Sequence, residues 1–284
     1  MDDSQVMRSM VRDDAYRVVR VLADGPSGRT ELVTLGGVEL LVRKRIPAAL
    51  ANATAWATLM GMHETRLPHI EELYQMPDEL VVVYSYVAGS SLRELVAEHG
   101  ALPAHQAVEL VSQVCEAASA LHARGLVHRD ITPGNVIVAE DGAHLVDLGI
   151  ARRRHEGSSH DTAVLGTWGF AAPEQFGFAQ TDQRSDVYAL GRLLGYALTG
   201  LNPGTEEYEQ ALADPLLVQP RLAEVSCRAS AFEPSARYQS AEELSDALEG
   251  ALESASAPSP AEGIASDSYA SRRFGEAPLL VSIM

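Results

Sequence analysis

From about residue 16 to residue 87 the chain carries short apolar runs rich in valine and leucine, at 18–22, 31–35, 38–42 and 80–86. Gly25, Gly28 and the Gly36-Gly37 pair separate them. Runs of this length bounded by glycine predict a mainly antiparallel sheet with tight turns. The alanine-rich stretch 48–62, with Leu50, Trp56, Leu59 and Met60, predicts a single helix among the strands. After Gly89 the period changes. Val108, Val111, Val114, Cys115, Ala118 and Leu121 recur at three- and four-residue intervals across 104–124, with Pro103 at the start and Gly125 just past the end. That is the pattern of a punctuated amphipathic helix, and related patterns occupy 185–198 and 241–252. The chain therefore reads as α+β, with an N-terminal extension (1–15), a small β-rich lobe holding one helix (16–87) and a larger helical lobe (88–250), divided by a cleft. Beyond 250 the sequence turns to serine, alanine and proline with scattered acids. Such a stretch has too little apolar surface to offset the entropy of ordering, so 251–284 is expected to be a flexible tail.

Composition narrows the function. Hydrophobic residues make up 46% and charged residues 21%, which separates the chain from disordered proteins. The formal charge of −17 repels the phosphates of nucleic acids, so these are not expected partners. Cys115 and Cys227 form no Cys-x-x-Cys pair and have no metal-like spacing to a histidine, which points to a reducing compartment without structural zinc. The start Met1-Asp2-Asp3-Ser4 lacks the basic and apolar regions of a secretory signal. Apolar stretches fall far short of the ~20 residues a spanning helix needs, so a cytoplasmic protein with no membrane span is expected.

The chemistry concentrates in Val127-His128-Arg129-Asp130-Ile131-Thr132-Pro133-Gly134-Asn135-Val136, followed after the turn at Asp141-Gly142 by Leu145-Val146-Asp147-Leu148-Gly149. A lone aspartate in a turn is usually a surface residue; the joint spacing is what stands out. These motifs resemble the catalytic core of protein kinases. The resemblance continues upstream in Leu22 and Ala23-Asp24-Gly25-Pro26-Ser27-Gly28-Arg29-Thr30, similar to the glycine-rich loop with Ala23 in place of its first glycine; taken alone, it is equally a hairpin turn. Leu41-Val42-Arg43-Lys44-Arg45-Ile46 is similar to the strand of the phosphate-binding lysine, although a lysine on an alternating strand is ordinarily just exposed. Downstream, Ala172-Pro173-Glu174, Ser185-Asp186-Val187-Tyr188 and Arg237 follow in the family's order, and the run Gln175-Phe176-Gly177 with 181–188 resembles bacterial members.

The resemblance implies a bilobal kinase fold and a serine/threonine protein kinase that uses ATP and Mg2+ (or Mn2+) on protein substrates, with the chain itself as a candidate among them by autophosphorylation. By position, Asp130 is the base, Asn135 and Asp147 are the metal ligands, and Lys44 binds the α- and β-phosphates. Leu22, Ala23, Gly25, Gly28 and Thr30 cover the nucleotide, Val42 and Ile137 sandwich the adenine, and backbone groups of Ser85 and Val87 bond its edge. Asp186 anchors the catalytic loop and Arg237 pairs with Glu174. Phosphate on Ser159 or Thr162 would pair with Arg129 and order the activation segment, which also holds Ser158; Thr167 would dock substrate.

Two positions depart from the pattern. Thr132 stands where serine/threonine kinases carry a lysine that neutralises the transferring phosphoryl group, and Thr58 stands where the helix glutamate partner of Lys44 is expected, Glu64 being six residues too late. These keep open a nucleotide-binding pseudokinase that regulates or scaffolds a partner. A small-molecule kinase shares the His-x-Asp core but lacks the downstream elements.

Overall fold

The computed structural model describes residues 3–148, 168–176 and 181–256. The first element is a helix, α1 (Asp3–Asp14), inside the stretch read from the sequence only as an extension. The strands β1 (Tyr16–Gly25), β2 (Gly28–Leu35), β3 (Glu39–Pro47), β4 (Ile70–Gln75) and β5 (Glu79–Ser85) form one antiparallel sheet in the order β1-β2-β3-β5-β4, with α2 (Ala53–Met60) inserted after β3.

Strand alternation splits this sheet into two faces with separate cores. Register pairs Leu32 with Val42 and Val42 with Tyr84, and Val42 and Tyr84 point, with Ile46, Leu80 and Val82, into a core shared with Ala55, Trp56 and Leu59 of α2 and with the helices of the second lobe. The opposite face packs Tyr16, Val33, Leu41, Tyr74, Val81 and Val83 into a smaller cluster of its own. Lys44, two residues beyond Val42, shares the inner face; Arg43 and Arg45 face outward.

Helix α2 is shorter than its 48–62 expectation. Asn52 caps it by accepting the Ala55 N–H at 3.2 Å, so residues before it form a turn, and Gly61 follows its last residue.

The second lobe begins with the two-residue strand β6 (Ser90–Ser91) and α3 (Leu92–His99), whose first turn is closed by a reciprocal Ser91–Glu94 cap. Then come α4 (Ala104–His122), the hairpin β7 (Val136–Ala139) and β8 (Gly142–Leu145), a short 3-10 turn at Pro173–Phe176, and α5 (Gln183–Thr199). Helices α6 (Glu206–Ala213), α7 (Pro220–Ala229) and α8 (Ala241–Ser256) complete the lobe. Helix α5 is buried along nearly its whole length and α4 packs against it, α8 and β8, so the lobe is built around a central helix. Helix α8 continues to Ser256, six residues past the expected boundary at 250, because Ala251 still packs into the core. Cys115 is buried, Cys227 is exposed, and both are free thiols. Among the described residues, no helix is long and apolar enough to cross a membrane.

Candidate functional site

The loop between α4 and β7 carries Asp130, and its shape is imposed from below by α5. Asp186, wholly buried in the first turn of that helix, accepts the backbone N–H of His128 through Oδ2 and that of Arg129 through Oδ1, each at 2.8 Å. His122 Nε2 lies 2.8 Å from the same Oδ2. Burial pushes the Asp186 carboxyl up, but hydrogen bonding and charge from His122, the charge of His128 and the Arg129 N–H outweigh it, so it is held below the usual carboxylate range. Arg129 is left in a left-handed conformation, φ 68°, which L-residues adopt only when their surroundings enforce it. Gln175 closes the loop from the other side, donating from Nε2 to Arg129 O at 2.8 Å while its Oε1 accepts the Ala172 N–H at 3.0 Å.

On this support the Asp130 N–H donates to His128 Nδ1 at 3.3 Å. Burial holds the His128 imidazole below its usual pKa despite the Asp186 and Asp130 charges, which keeps Nδ1 an acceptor at neutral pH. The Asn135 amide donates from Nδ2 to Asp130 O at 2.8 Å and to Asp130 Oδ2 at 3.1 Å. Its carbonyl oxygen accepts from none of the described residues. Asn135 is thus oriented with its nitrogen toward Asp130 and its hard oxygen available to a cation.

The β7–β8 hairpin places Asp147 next to this loop. Val136 pairs with Leu145, and Val146 N–H donates to Asn135 O at 2.8 Å. Asp147 too is left-handed, φ 54°, and its Oδ1 forms an ion pair with Lys44 Nζ, joining the sheet of the first lobe to the hairpin of the second. Lys44 takes this partner while α2 has no acidic residue at all; Thr58 donates back to Thr54 O at 3.0 Å within the helix. Tyr84, diagonal to Lys44 on the inner face, is buried, which pushes its phenol well above its usual value, and the Asp147 charge adds to the rise. It is a neutral hydroxyl.

The remaining predicted positions lie on β1, β2, the end of β5 and the linker after it, the Asp130 loop and β7. Gly25 pairs with Gly28 across the two-residue Pro26-Ser27 turn, Ala23 pairs with Thr30, and Thr30 pairs with Lys44; Leu22 sits at a register shift and, like Ala23 and Gly25, is exposed. Gly28 has φ 119°, and a Cβ there would overlap Arg45 O. Ser85 N–H is taken by His69 O at 2.9 Å, whereas Val87, past the end of β5, has an N–H with no partner among the described residues. Ile137 is half-buried on β7, where Gly89 lets the linker approach so closely that a Cβ on it would overlap Val138 O. Thr132 is 3% exposed and its carbonyl accepts the Asn135 N–H at 2.9 Å.

Glu174 and Arg237 form a buried bidentate pair, and Ser185 Oγ donates to the same carboxylate at 2.6 Å. His122, Gln175, Ser185 and Gly89 were not assigned these roles from the sequence, because each acts through a contact between distant segments. Gly149, Ser158, Ser159, Thr162, Thr167, Gly177 and the tail beyond Ser256 lie outside the described residues.

The protein kinase domain family profile matches residues 44–258 of this chain. Serine/threonine-protein kinase PknD of Mycobacterium tuberculosis is 34% identical over 204 residues, covering 65% of this chain and 31% of that protein. PknB of Mycobacterium leprae is 35% identical over 179 residues, 57% of this chain and 29% of that protein. Serine/threonine-protein kinase D of Synechocystis sp. is 29% identical over 280 residues, 86% of this chain and 54% of that protein. The chain thus spans from under a third to about half the length of these curated relatives.

Proposed function

The chain belongs to the protein kinase domain family, and from that premise we propose that it transfers the γ-phosphate of Mg-ATP to a serine or threonine hydroxyl of a protein substrate. The observation that carries this reading is the continuous chain of contacts from Lys44 through Asp147 and the hairpin to Asn135 and Asp130, built on a strained loop that Asp186 holds in place. A scaffold has no use for a carboxylate fixed in this way beside two hard-oxygen donors.

In this reading Asp130 orients the substrate hydroxyl and accepts its proton. The oxygen forms a bond to the γ-phosphorus as the bond from that phosphorus to the β–γ bridging oxygen breaks, and ADP leaves. Asn135 Oδ1 and the Asp147 carboxylate would hold Mg2+ (or Mn2+), and their donor types fit a hard cation. When bound, the ion neutralises phosphate charge. Lys44 swings between Asp147 and the α- and β-phosphates. Val42 and Ile137 contact the two faces of adenine, the Ser85 carbonyl and the Val87 N–H bond its edge, and Leu22, Ala23, Gly25, Gly28 and Thr30 lie over the ribose and phosphates. The domain runs from about residue 16 through α8, the reaction belongs to the cytoplasm where ATP is supplied, and the chain itself is among its substrates. With a net charge of −17, nucleic acid is not one of its partners.

The test is transfer of labelled γ-phosphate from ATP to the chain and to a generic basic protein, comparing wild type with Asp130→Asn. Transfer lost in the variant supports the reading. Equal incorporation in both removes Asp130 from its role, and thermal stabilisation by nucleotide with no transfer selects the pseudokinase.

A further inference from the structure

The lysine of β3 has no acidic anchor on α2, yet the strand that carries it is gripped from behind. Arg43 and Arg45 flank Lys44 and project from the opposite face, as strand alternation requires. Both end on one carboxylate of the N-terminal helix. Arg43 Nη1 donates to Asp13 Oδ1 at 3.0 Å, Arg45 Nη2 lies 2.5 Å from Asp13 Oδ2, and Tyr74 of β4 donates its hydroxyl to Asp13 Oδ1 at 2.8 Å. Arg43 also donates to the Asp13 carbonyl at 3.1 Å, satisfying one of the acceptors that the end of α1 leaves without a helical partner. Glu31 of β2 holds the other side of the Arg43 guanidinium at 2.8 Å and 3.0 Å, with side chains 5% and 4% exposed.

The geometry points to Asp13 as a positioning residue for Lys44. By tying both neighbours of the lysine to α1, it fixes where β3 presents the Lys44 side chain, a task that an inner-face glutamate would otherwise share. This inference rests on the reading of the junction as a nucleotide site. A carboxylate in the last turn of a helix opposes the helix dipole, so helix stability does not account for Asp13 being there; the two guanidinium groups do. Burial would raise its carboxyl, but hydrogen bonds from Arg45 and Tyr74 and the charges of both arginines keep it below the usual range, so it is ionised at neutral pH. The clamp also lies outside the 44–258 stretch matched by the family profile, apart from Arg45, Tyr74 and the lysine itself.

Magnesium-dependent binding of a non-hydrolysable ATP analogue and the KM for ATP test this in the full chain, for wild type, Asp13→Ala and Asp13→Asn, well below each melting temperature. Val225→Ala, which thins the core of the second lobe at α7 and touches no member of the clamp, is the control for lost stability alone. We expect Asp13→Ala to weaken nucleotide binding and raise KM on the order of tenfold, with Asp13→Asn in between and Val225→Ala unchanged. In a Lys44→Met background the same Asp13 substitutions add no further loss. Should Asp13→Ala fail to fold, Asp13→Asn, which retains an acceptor for Tyr74, carries the test. Unchanged affinity in the Asp13 variants, or an equal loss when Lys44 is absent, overturns the inference alone. A wild type that binds no nucleotide overturns both it and the proposed function.

Discussion

Glu174 and Arg237 meet 63 residues apart in a bidentate pair, Nη1 to Oε1 at 2.7 Å and Nη2 to Oε2 at 2.9 Å, with side chains 3% and 0% exposed. The guanidinium is fully used, since it also donates to the carbonyls of Ala231, Phe232 and Arg184. A pair so far from water contributes modestly while intact and costs a great deal when halved.

Arg237→Ala should therefore lower stability by about 3–5 kcal/mol, because it strands a buried carboxylate. Replacing both residues with apolar groups of similar volume should recover most of that loss. Denaturant melts of the two single variants and the double variant measure it; a single-variant loss below about 1 kcal/mol, the level of an exposed pair, would contradict this account.

Acid sensitivity follows from the same chemistry. Asp186 and Glu174 both have carboxyls held below their ordinary values in the folded chain. Groups of this kind stabilise the native state above the unfolded carboxylate range near about pH 4, and that stability is lost as pH falls through their lower folded values. Stability should drop steeply on acidification below about pH 4, and Asp186→Asn should be less stable at neutral pH with a shallower acid limb. Chemical denaturation midpoints across the acid range check this; an acid limb equally steep in Asp186→Asn would remove Asp186 from the explanation.

The linker between lobes has a steric limit at Gly89, where a Cβ would overlap Val138 O and press on Ile137 Cγ2 at 3.0 Å. Gly89→Ala should push the linker off β7 and cost about 1–3 kcal/mol of stability. Because Val87 and Ile137 are the adenine contacts proposed above, the KM for ATP should rise more than kcat falls. Steady-state kinetics with ATP as the varied substrate distinguish this from general damage, which would lower kcat at constant KM.

Much of the molecule was legible because its elements carry strong periods or tightly spaced motifs. The regular apolar spacing of α4 and the valine-rich β5 announce themselves, and Asp130, Asn135 and Asp147 are recognisable by interval. Strand β4 was not foreseen, since Ile-Glu-Glu-Leu-Tyr-Gln buries only Ile70 and Tyr74, four apart, a spacing that fits one face of a helix as well as one of a strand. Helix α1 is polar along most of its length and is held largely by Asp13, whose partners lie thirty and more residues away. The loss of an acid on α2 was readable, and it left the phosphates or Asp147 as partners for Lys44; that the lysine meets Asp147 depends on how the two lobes come together. Periodicity reports the face a residue occupies; it does not report which distant group waits there.

Thr132 offers a gain-of-function test. At 3% exposure its side chain is packed into the catalytic loop, and its backbone carbonyl helps hold Asn135 through the 2.9 Å hydrogen bond. A lysine at this position cannot keep its ammonium in that space, because an unpaired buried charge is too costly, so the side chain must extend toward the reacting groups beside Asp130. There it would neutralise charge on the transferring phosphoryl group. Thr132→Lys should raise kcat by about tenfold or more with little change in the KM for ATP, since the new cation acts mainly on charge that develops during transfer. Stability should fall slightly as the threonine packing is lost. Single-turnover phosphoryl transfer to a fixed protein substrate, with melting temperatures alongside, measures both effects. An unchanged rate in a folded variant would mean that another cation already covers the phosphoryl group, and the threonine would then cease to count as a deficit.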